Sequence, residues 1–576
     1  GGAGVNRLDL DDSGGSNANE GTLAAGQLSG LGMAAAIGFS EIDELKLRLG
    51  SGADRLRVLG TQAGRTTQVL MGEGADILVA GDTAGVVKNG LNAIAGLLDV
   101  QGQGGDDALQ ISDQVSGAAA AERNVGELSA LRLTGLGMGN ADPSAVNRDA
   151  GIAYAEFESL SLQLGDGIDE LKILGTSTAT GVNLGAGVDV VSIGDLTPTS
   201  SLNTISSALN VGGGADGGTL AVASGAAVDL RLERDPADST LGLLSEASMA
   251  GSIRYGGFDA LTLALGDGAD KLRVLDTLAA LELSAGAGAD ELTIDSVSHA
   301  TRLQMGDGAD RVTVHGAQAR LTIAGQGATL EQDALLVDLG ARTLDSEGSL
   351  VGSADAGSLL GFTVGDIDFS GIEQFTLQLG AGNDRLRIDD SLAATAVSVC
   401  AGDSDDVIDV YQIGTRTTTI NGDAGKDTVS VHIDGEPVAG TFTQLALSVE
   451  QLVVDNRLNE TMPVAWTVVD GALIRARSGG GSEVPVIAAE GAGEIRILGG
   501  TQADTLDVLS GIPGDVRGVI DGNSVDLTAG RVVLEPGSFR TLLDYPVVID
   551  FGELSGTTSS YDREDGFTLS SNGTLA

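Results

Sequence analysis

The stretch Leu263-Ala-Leu-Gly-Asp-Gly-Ala-Asp270-Lys-Leu-Arg-Val274 reads as a short strand, a glycine turn that ends in an aspartate, and a second short strand. The same arrangement returns 20 residues later with Asp290 and another 20 residues later with Asp310. Self-similarity at a fixed period of this kind is typical of solenoids and other repeat proteins. The repeat is therefore the main guide to the fold.

The pattern Gly-x-Gly-x-Asp recurs along most of the chain, far more often than composition alone would give. It occurs ten times, ending at Asp54, Asp76, Asp106, Asp169, Asp189, Asp216, Asp270, Asp290, Asp310 and Asp384. Looser copies end at Asp406, Asp427 and Asp504. The turn is thus a structural unit that the fold uses again and again.

The aspartates fall into groups of three, and a second signature precedes each group, as in Ile253-Arg-Tyr255 followed by Leu261-Thr-Leu-Ala-Leu265. The leading aspartates of successive groups are 115, 101 and 114 residues apart. This spacing predicts a super-repeat and five blocks, at 1–125, 126–230, 231–345, 346–440 and 441–576. The last block is a diverged copy or, alternatively, a separate globular region.

Apolar residues alternate on both sides of each turn. Leu45, Leu47 and Leu49 precede the first turn, and Leu56 and Val58 follow it. A period of two is the mark of a half-buried strand. Two strands and two turns per 20–22 residues predict an all-β fold, a parallel β-solenoid (β-roll-like or β-helix-like) of about 20–22-residue coils.

The composition limits the possible partners. The chain has 81 acidic and 32 basic residues and a net charge of −49, which disfavours nucleic acids and anionic membranes as partners and favours bound cations. One cysteine and three histidines leave little scope for disulfides or zinc. No apolar run is long enough for a membrane span.

Glycines in the turn allow carbonyl oxygens to point into the bend, and the aspartate adds a carboxylate at the entry to the next strand. Stacked carboxylates about 5 Å apart would repel each other by about 1 kcal/mol per pair even in water. Oxygen ligands from successive turns suit Ca²⁺, which takes about 6–8 of them, better than Mg²⁺. We therefore expect several Ca²⁺ ions and a coupling between folding and calcium binding. Plain turn chemistry without a metal is the simpler alternative.

The turns resemble the RTX (haemolysin-type) calcium-binding repeats, Gly-Gly-x-Gly-x-Asp-x-aliphatic-x, over most of residues 1–440. The resemblance implies carboxylate ligands at the turn aspartates and carbonyl ligands at the turn glycines. The predicted carboxylates are Asp54, Asp76, Asp106, Asp169, Asp189, Asp216, Asp270, Asp290, Asp310, Asp384, Asp406 and Asp427. The predicted carbonyls are Gly50, Gly52, Gly72, Gly74, Gly165, Gly167, Gly185, Gly187, Gly266, Gly268, Gly286, Gly288, Gly306, Gly308, Gly380 and Gly382.

Two departures from the RTX pattern matter. RTX motifs follow one another every nine residues, whereas one motif appears here per 20–22 residues, and the opposite turn, as in Gly60-Thr-Gln-Ala-Gly-Arg-Thr67, is of another kind. Ions are therefore expected along one edge only. The turn at Gly325-Gln-Gly-Ala-Thr329 lacks the aspartate and is expected to bind nothing.

The function predicted from these features is an extracellular structural or adhesive repeat array stabilised by calcium, as in a stalk, filament, surface layer or adhesin body. The super-repeat also resembles those of very large bacterial surface proteins, so the expected location is secreted or at the bacterial cell surface. Copies of the chain itself or surface glycans are the possible partners. Alternatives are a calcium-dependent glycan-binding or partner-binding module, and the non-catalytic RTX-like region of a secreted enzyme or toxin. The carboxylates repeat regularly and show no local exception of the kind a catalytic pair would make, so no enzyme activity is expected.

Overall fold

A computed structural model describes residues 4–81, 90–114, 123–139, 146–325, 332–459, 462–469, 473–488 and 492–499. Beyond them it describes seven short strands between 505 and 568. The chain divides into two compact units, Gly1–Asp307 and Gly308–Ala576. The fold is all-β, and 43 strands are assigned to one mostly parallel sheet. Among the described residues there is no α-helix, only a 3₁₀ turn at Leu202–Thr204.

The first unit consists of short strands, most of them four to seven residues long. In chain order, β1 to β27 are Arg7–Asp11, Glu20–Ala24, Gln27–Gly30, Ile37–Gly38, Glu44–Arg48, Arg55–Val58, Thr66–Leu70, Ile77–Gly81, Leu97–Gln101, Ala108–Ser112, Val125–Ser129, Arg132–Gly135, Gly151–Ala155, Ser159–Gln163, Glu170–Ile173, Ala179–Asn183, Asp189–Asp195, Leu209–Gly212, Gly218–Ser224, Asp229–Arg234, Gly242–Glu246, Ile253–Gly256, Ala260–Leu265, Lys271–Val274, Ala280–Ser284, Glu291–Ile294 and Thr301–Gln304.

The second unit continues with strands of the same kind. In chain order, β28 to β51 are Arg311–Val314, Leu321–Ala324, Ala334–Asp338, Glu347–Ala354, Ala356–Leu360, Ile367–Ser370, Gln374–Gln378, Arg385–Leu392, Ala396–Cys400, Val407–Gln412, Thr418–Asn421, Thr428–His432, Leu445–Asp455, Val464–Val469, Leu473–Ser478, Val484–Ala488, Ala492–Leu498, Thr505–Val508, Asp515–Val519, Val525–Leu527, Val532–Leu534, Asp550–Phe551, Ser560–Asp562 and Gly566–Thr568.

Outside the insertions described below, a strand pairs in parallel with the strand two places further along the chain. In the first block β5 pairs with β7, so that Leu45 faces Thr67 and Leu47 faces Val69. The intervening β6 pairs in the same way with β8. One coil therefore contributes one strand to each of two stacked faces, which is the predicted β-solenoid. The fold class read from the sequence is confirmed.

The core lies between the two faces and follows the predicted alternation. Leu45 is 6% exposed, Leu47 and Leu49 are each 2% exposed, and Leu56 and Val58 are fully buried. Burying an aliphatic side chain of this size contributes about 1.5–3 kcal/mol. The aliphatic positions of each coil thus stack into one narrow core.

An antiparallel insertion separates successive blocks. Between blocks 1 and 2, β11 (Val125–Ser129), β12 (Arg132–Gly135) and β13 (Gly151–Ala155) form an antiparallel group, and β13 continues the stack of β9 whereas β11 starts the stack of β15. The group β20, β21 and β22 does the same for the other face between blocks 2 and 3. In the second unit β31, β32 and β33 repeat this arrangement.

The insertions move the glycine–aspartate turns from one edge of the coil to the other. In block 1 the strands that follow the aspartate, such as β10 (Ala108–Ser112), stack directly under β14 (Ser159–Gln163). In block 2, β14 comes before the aspartate turn. The three inserted strands have exchanged the roles of the two faces, so that the face that followed the aspartate in block 1 precedes it in block 2. The aspartate turns of blocks 1 and 2 consequently lie on opposite edges. The prediction of ions along one edge only assumed that all of these turns share one edge, and blocks 1 and 2 show that they do not.

In the fifth block the described strands repeat the insertion pattern. Strand β42 (Leu473–Ser478) pairs antiparallel with β41 (Val464–Val469) and with β43 (Val484–Ala488), and β41 pairs in parallel with β45. Trp466 in β41 is 1% exposed. The looser turn ending at Asp504 lies outside the described residues, and the five-block division stays a prediction. No helix of the described part is long and apolar enough to cross a membrane.

Candidate functional site: the aspartate ladder

The backbone of the turn explains its glycines. Gly72 and Gly74 adopt φ angles of +99° and +123°, which L side chains rarely adopt. A Cβ atom on Gly72 would also lie 2.0 Å from the carbonyl oxygen of Gly50 in the preceding coil. Because successive turns stack this closely, only glycine fits, and the aspartate that follows is brought directly over the aspartate of the next coil.

The turn aspartates form a chain of hydrogen bonds, which we call the aspartate ladder. The backbone N–H of Asp54 donates to Oδ1 of Asp76 at 2.6 Å, and the N–H of Asp76 donates to Oδ1 of Asp107 at 2.8 Å. The same contact joins Asp169 to Asp189 at 2.8 Å. A charge-assisted bond of this kind is about twice as strong as a neutral one. Each aspartate therefore ties its own coil to the preceding one.

The ladder continues through the other two blocks with the same geometry. The N–H of Asp270 donates to Oδ1 of Asp290 at 2.8 Å. In the second unit the N–H groups of Asp384 and Asp406 donate to Oδ1 of Asp406 and Asp427 at 2.6 and 2.9 Å. The aspartate that begins each series accepts from a residue of another type, namely Asn19, Asn124, Val228 and Ser346.

The second carboxylate oxygen of the ladder aspartates, Oδ2, is in a different environment from Oδ1. The ladder aspartates are at most 3% exposed. Among the described residues, the buried Oδ2 atoms of seven ladder aspartates have no hydrogen-bond partner: Asp76, Asp107, Asp169, Asp189, Asp270, Asp406 and Asp427. A buried polar atom without a partner costs roughly 1–3 kcal/mol. The coils of these seven aspartates thus each carry one buried carboxylate oxygen that the described residues do not satisfy.

Burial changes how readily these carboxyl groups ionise. Desolvation raises the pKa of Asp76, Asp169 and Asp270 to about 6, although hydrogen bonds from backbone N–H groups partly oppose the shift. Desolvation, with the neighbouring carboxylates adding to it, raises the pKa of Asp406 to about 7. The ladder therefore takes up protons or another positive charge more readily than exposed aspartates do.

Most of the predicted carboxylates lie in the ladder, but two do not. Asp106 is exposed, and its neighbour Asp107, which is 1% exposed, supplies the carboxylate. Asp216 is also exposed, and Gly218 occupies the ladder position opposite Asp189. The ladder position is set by the start of the following strand rather than by the spacing within the glycine motif. For this reason Asp106 and Asp216 lie outside the ladder, and their role as calcium ligands stays a prediction.

The turn at Gly325 lacks an aspartate in its motif but has a carboxylate from further along the chain, and whether it binds an ion stays a prediction. Asp333 supplies its carboxylate, is 3% exposed and accepts the N–H of Asp310 at 3.0 Å on Oδ1. A Cβ atom on Gly325 would lie 2.5 Å from Oδ2 of Asp333. The residues between them, 326–331, lie outside the described part, and their extra length concealed the aspartate from the motif.

The acids that end each series were missed altogether. Glu158 accepts the N–H of Asp107 at 2.6 Å, and Glu373 and Glu450 accept those of Asp333 and Asp427 at 2.9 and 3.0 Å. Asp43 does the same for Asn6 at 2.7 Å. Each of the four acids stands two residues before a Leu or Phe of a strand, as in Glu158-Ser-Leu160. That spacing is the signal that could have revealed them.

The turn at the other end of the coil has a ladder of its own, built from hydroxyl groups. We call it the threonine corner. Thr61 Oγ1 accepts the N–H of Gly96 at 3.0 Å, and Thr176 Oγ1 accepts the N–H of Ser207 at 3.3 Å and donates to its carbonyl at 3.1 Å. Thr277 Oγ1 accepts the N–H of His299 at 2.9 Å. These contacts carry no charge.

The donor set agrees with calcium in its chemistry, since every potential ligand is an oxygen and the free Oδ2 atoms are anionic. Some of the predicted carbonyl ligands already have a partner: those of Gly50 and Gly286, for example, accept N–H groups of the next turn at 3.0 and 3.1 Å. A carbonyl oxygen has a second lone pair that could still bind an ion. Among the described residues no group of three or more His, Cys, Asp or Glu side chains is placed to hold a metal. Ions would thus depend on carbonyls as well as on the unpartnered Oδ2 atoms of the seven aspartates named above.

Comparison with known proteins adds no assignment. No protein-family model matches the chain, and no curated protein matches it. The resemblance to the RTX repeats stays a prediction.

Proposed function

We propose that the chain is a structural repeat array, and that the aspartate ladder is the device that holds its coils in register. The observation that carries this proposal is the recurrence of one contact, from a backbone N–H to the Oδ1 of the next aspartate, in block after block. In a solenoid each coil touches only its neighbours, so that stability is the sum of such contacts. A repeated contact suits a protein whose task is to extend and bear load.

We propose further that the array is stabilised by Ca²⁺. The Oδ2 atoms of residues such as Asp76, Asp169 and Asp270 would supply anionic ligands, and carbonyls of the turn glycines would supply neutral ones. Calcium would neutralise buried carboxylates that otherwise destabilise the fold at neutral pH. An extracellular or bacterial cell-surface location is part of the proposal, since millimolar calcium and the net charge of −49 suit such a setting.

The test is a comparison of the purified chain in EGTA, in 2–5 mM Mg²⁺ and in ~5 mM Ca²⁺, a range chosen for weak extracellular sites. We expect calcium to raise the melting temperature and the β-sheet circular dichroism, and isothermal titration calorimetry to show several ions bound per chain. Magnesium should have much less effect. A chain that melts identically in EGTA and in calcium, with no heat of binding, would show that the ladder works without an ion.

A further inference from the structure

The outer face of block 2 contains a trough whose residues are not explained by the solenoid. It has a volume of about 540 Å³ and runs across four adjacent strands, β14, β16, β18 and β22. The turn Thr240-Leu241 lies beside it as a wall. Neither the core nor the aspartate ladder uses these outward-facing positions.

Several positions on the floor of the trough are glycine. Strand pairing aligns Ser161, Gly181, Asn210 and Arg254 in one row across the strands. A second row consists of Gln163, Asn183, Gly212 and Gly256. Three of these eight outward positions are therefore glycine, which weakens a strand and often marks a place where a ligand or another backbone approaches closely.

The fold itself does not require two of these glycines. A Cβ atom on Gly181 would meet nothing within 4 Å, and one on Gly212 would meet only the carbonyl oxygen of Val182, at 3.8 Å. Neither residue has a positive φ. In the aspartate turns, by contrast, a Cβ atom would collide with the neighbouring coil. The space above Gly181 and Gly212 is thus left open at a cost in strand stability.

Apart from Leu241, the outward-facing side chains around this space are polar, and together they are almost free of net charge. None of the lining residues is acidic, although the chain has 81 acidic residues. The one cation, Arg254, is paired with Asp235. Gln163 and Asn210 are exposed and make no side-chain hydrogen bond within the described part, and Asn183 uses only its Oδ1, which accepts the N–H of Gly185 at 3.1 Å. Amide groups both donate and accept, as the hydroxyls of a sugar do.

We propose that this trough binds an extended, uncharged polysaccharide. The amides of Gln163, Asn183 and Asn210 would bind sugar hydroxyls, and the open floor at Gly181 and Gly212 would let the chain lie against the sheet. Strands about 4.8 Å apart repeat at roughly the length of one sugar ring, so that consecutive rings would meet equivalent positions. Anionic polymers are disfavoured by the charge of the protein as a whole.

An extended peptide fits the trough less well. Peptides join β-proteins chiefly by adding a strand to an open sheet edge, where backbone groups are unpaired. The trough lies on a sheet face, and its strands are paired on both sides: β14 with β10 and β16, and β22 with β18 and β21. Recognition here would rest on side chains alone, which suits a polymer of hydroxyl groups.

The experiment measures binding of the full chain to neutral polysaccharides, namely dextran, laminarin, cellohexaose and chitohexaose. Alginate serves as the anionic polymer and an unfolded polypeptide as the peptide probe. Affinity electrophoresis and calorimetry are run in both EGTA and calcium, so that a failure of the calcium proposal does not affect the outcome. We expect at least one neutral polymer to bind, and alginate and the polypeptide not to bind.

Variants locate the site. Gly181→Ile places a side chain in the open floor and should abolish binding while leaving the melting temperature unchanged or higher, because a β-branched residue replaces a strand glycine. Asn210→Ala should weaken binding about tenfold, the equivalent of one hydrogen bond. The control is Gly38→Ile, at another strand glycine whose Cβ would meet nothing within 4 Å. The proposal is overturned if no neutral polymer binds, if only alginate or the polypeptide binds, or if Gly181→Ile binds as the parent chain does.

Discussion

The two turns of a coil hold it in register with its neighbours through different kinds of hydrogen bond. At the aspartate ladder a carboxylate accepts the N–H of the preceding coil, as Asp76 does for Asp54 at 2.6 Å. At the threonine corner a hydroxyl accepts the N–H of the following coil, as Thr61 does for Gly96 at 3.0 Å. Both contacts fix the register of stacked coils. Only the first buries a charge.

The difference shows what the charge is for. A neutral hydroxyl satisfies the backbone at little desolvation cost, so register alone does not require aspartate. The aspartate ladder carries a larger desolvation cost, as its unpartnered Oδ2 atoms and raised pKa values show. In return it makes the stability of one corner depend on pH and, under the calcium proposal, on cations. The threonine corner supplies a matched reference for testing this dependence.

The largest loss of stability is expected from a glycine substitution in an aspartate turn. Gly306 has a φ of +92°, and its Cβ would lie 1.7 Å from the carbonyl oxygen of Gly286. Gly306→Ala should destabilise the first unit by roughly 3–5 kcal/mol, because overpacking adds to a disfavoured backbone conformation. Chemical denaturation followed by circular dichroism measures this change.

Gly64→Ala at the opposite turn is its control. Gly64 has a φ of +65°, but its Cβ would meet nothing within 4 Å. Only the conformational cost should remain, about 1–2 kcal/mol. Equal losses in the two variants would contradict the close stacking of the aspartate turns.

The next effect is the loss of one ladder carboxylate. Asp76→Ala leaves the buried N–H of Asp54 without its acceptor and should cost about 1–3 kcal/mol at pH 5, where the carboxyl group is mostly protonated. Thr176→Val, which removes the hydroxyl that accepts the N–H of Ser207 at 3.3 Å, should cost about 1 kcal/mol at any pH. Thermal and urea denaturation at pH 5 and pH 8 compare the two.

Asp76→Asn separates the ion from the hydrogen bond. The amide keeps an oxygen acceptor in place of Oδ1 but removes the charge. In EGTA at pH 8 the variant should be at least as stable as the parent chain, whereas in calcium it should be less stable because an anionic ligand is gone. A variant that behaves the same in both solutions would argue that this rung holds no ion.

Much of this arrangement could be predicted from the sequence, because the relevant signals are local. Alternation around Leu45 and Leu56 gave the strands, and the recurring glycine motif gave the parallel stack. Asp106 lies outside the ladder because the ladder follows the start of the strand Ala108–Ser112, a register that only pairing with Ile77–Gly81 fixes. Asp333 was missed because extra residues separate it from its glycine.

The change of edge between blocks could not be read from the motif at all. It depends on the antiparallel strand Arg132–Gly135, which pairs with strands on both sides and puts the two faces out of phase. Its short alternating pattern looks like that of any other strand in the chain. Direction of pairing is a tertiary property, set by where a strand can bury its apolar side, so local periodicity leaves it open.

The pH dependence in EGTA is a smaller effect spread over many rungs. The pKa of Asp76, Asp169 and Asp270 is about 6 in the folded chain, against an ordinary value of 3.8. The folded state therefore holds protons that the unfolded state has already lost. This stabilisation is complete below pH ~3.8 and disappears as the pH rises through about 6, so that the melting temperature should fall between pH 4.5 and pH 8.

Calcium should reverse this trend, because ions would replace the protons at high pH and be displaced from the carboxylates at low pH. Thr176→Val should keep the slope of the parent chain in both solutions. Asp76→Asn together with Asp270→Asn should flatten it. A parent chain whose stability in EGTA rises steadily from pH 4.5 to pH 8 would contradict the raised pKa values.

The smallest effect is expected for charges on the outer face. Arg273 Nε lies 2.7 Å from Asp295 Oδ2, and the two side chains are 56% and 25% exposed. Arg273→Gln should cost at most about 1 kcal/mol, since solvent screens an exposed pair. Raising NaCl to ~0.5 M, where the screening length is only a few ångströms, should abolish even this cost. The effect of Asp76→Asn should persist at the same salt concentration, because Asp76 is fully buried and salt screens a buried charge much less than an exposed one. Salt sensitivity thus distinguishes an exposed charge on the outer face of the coil from a buried charge in the aspartate ladder.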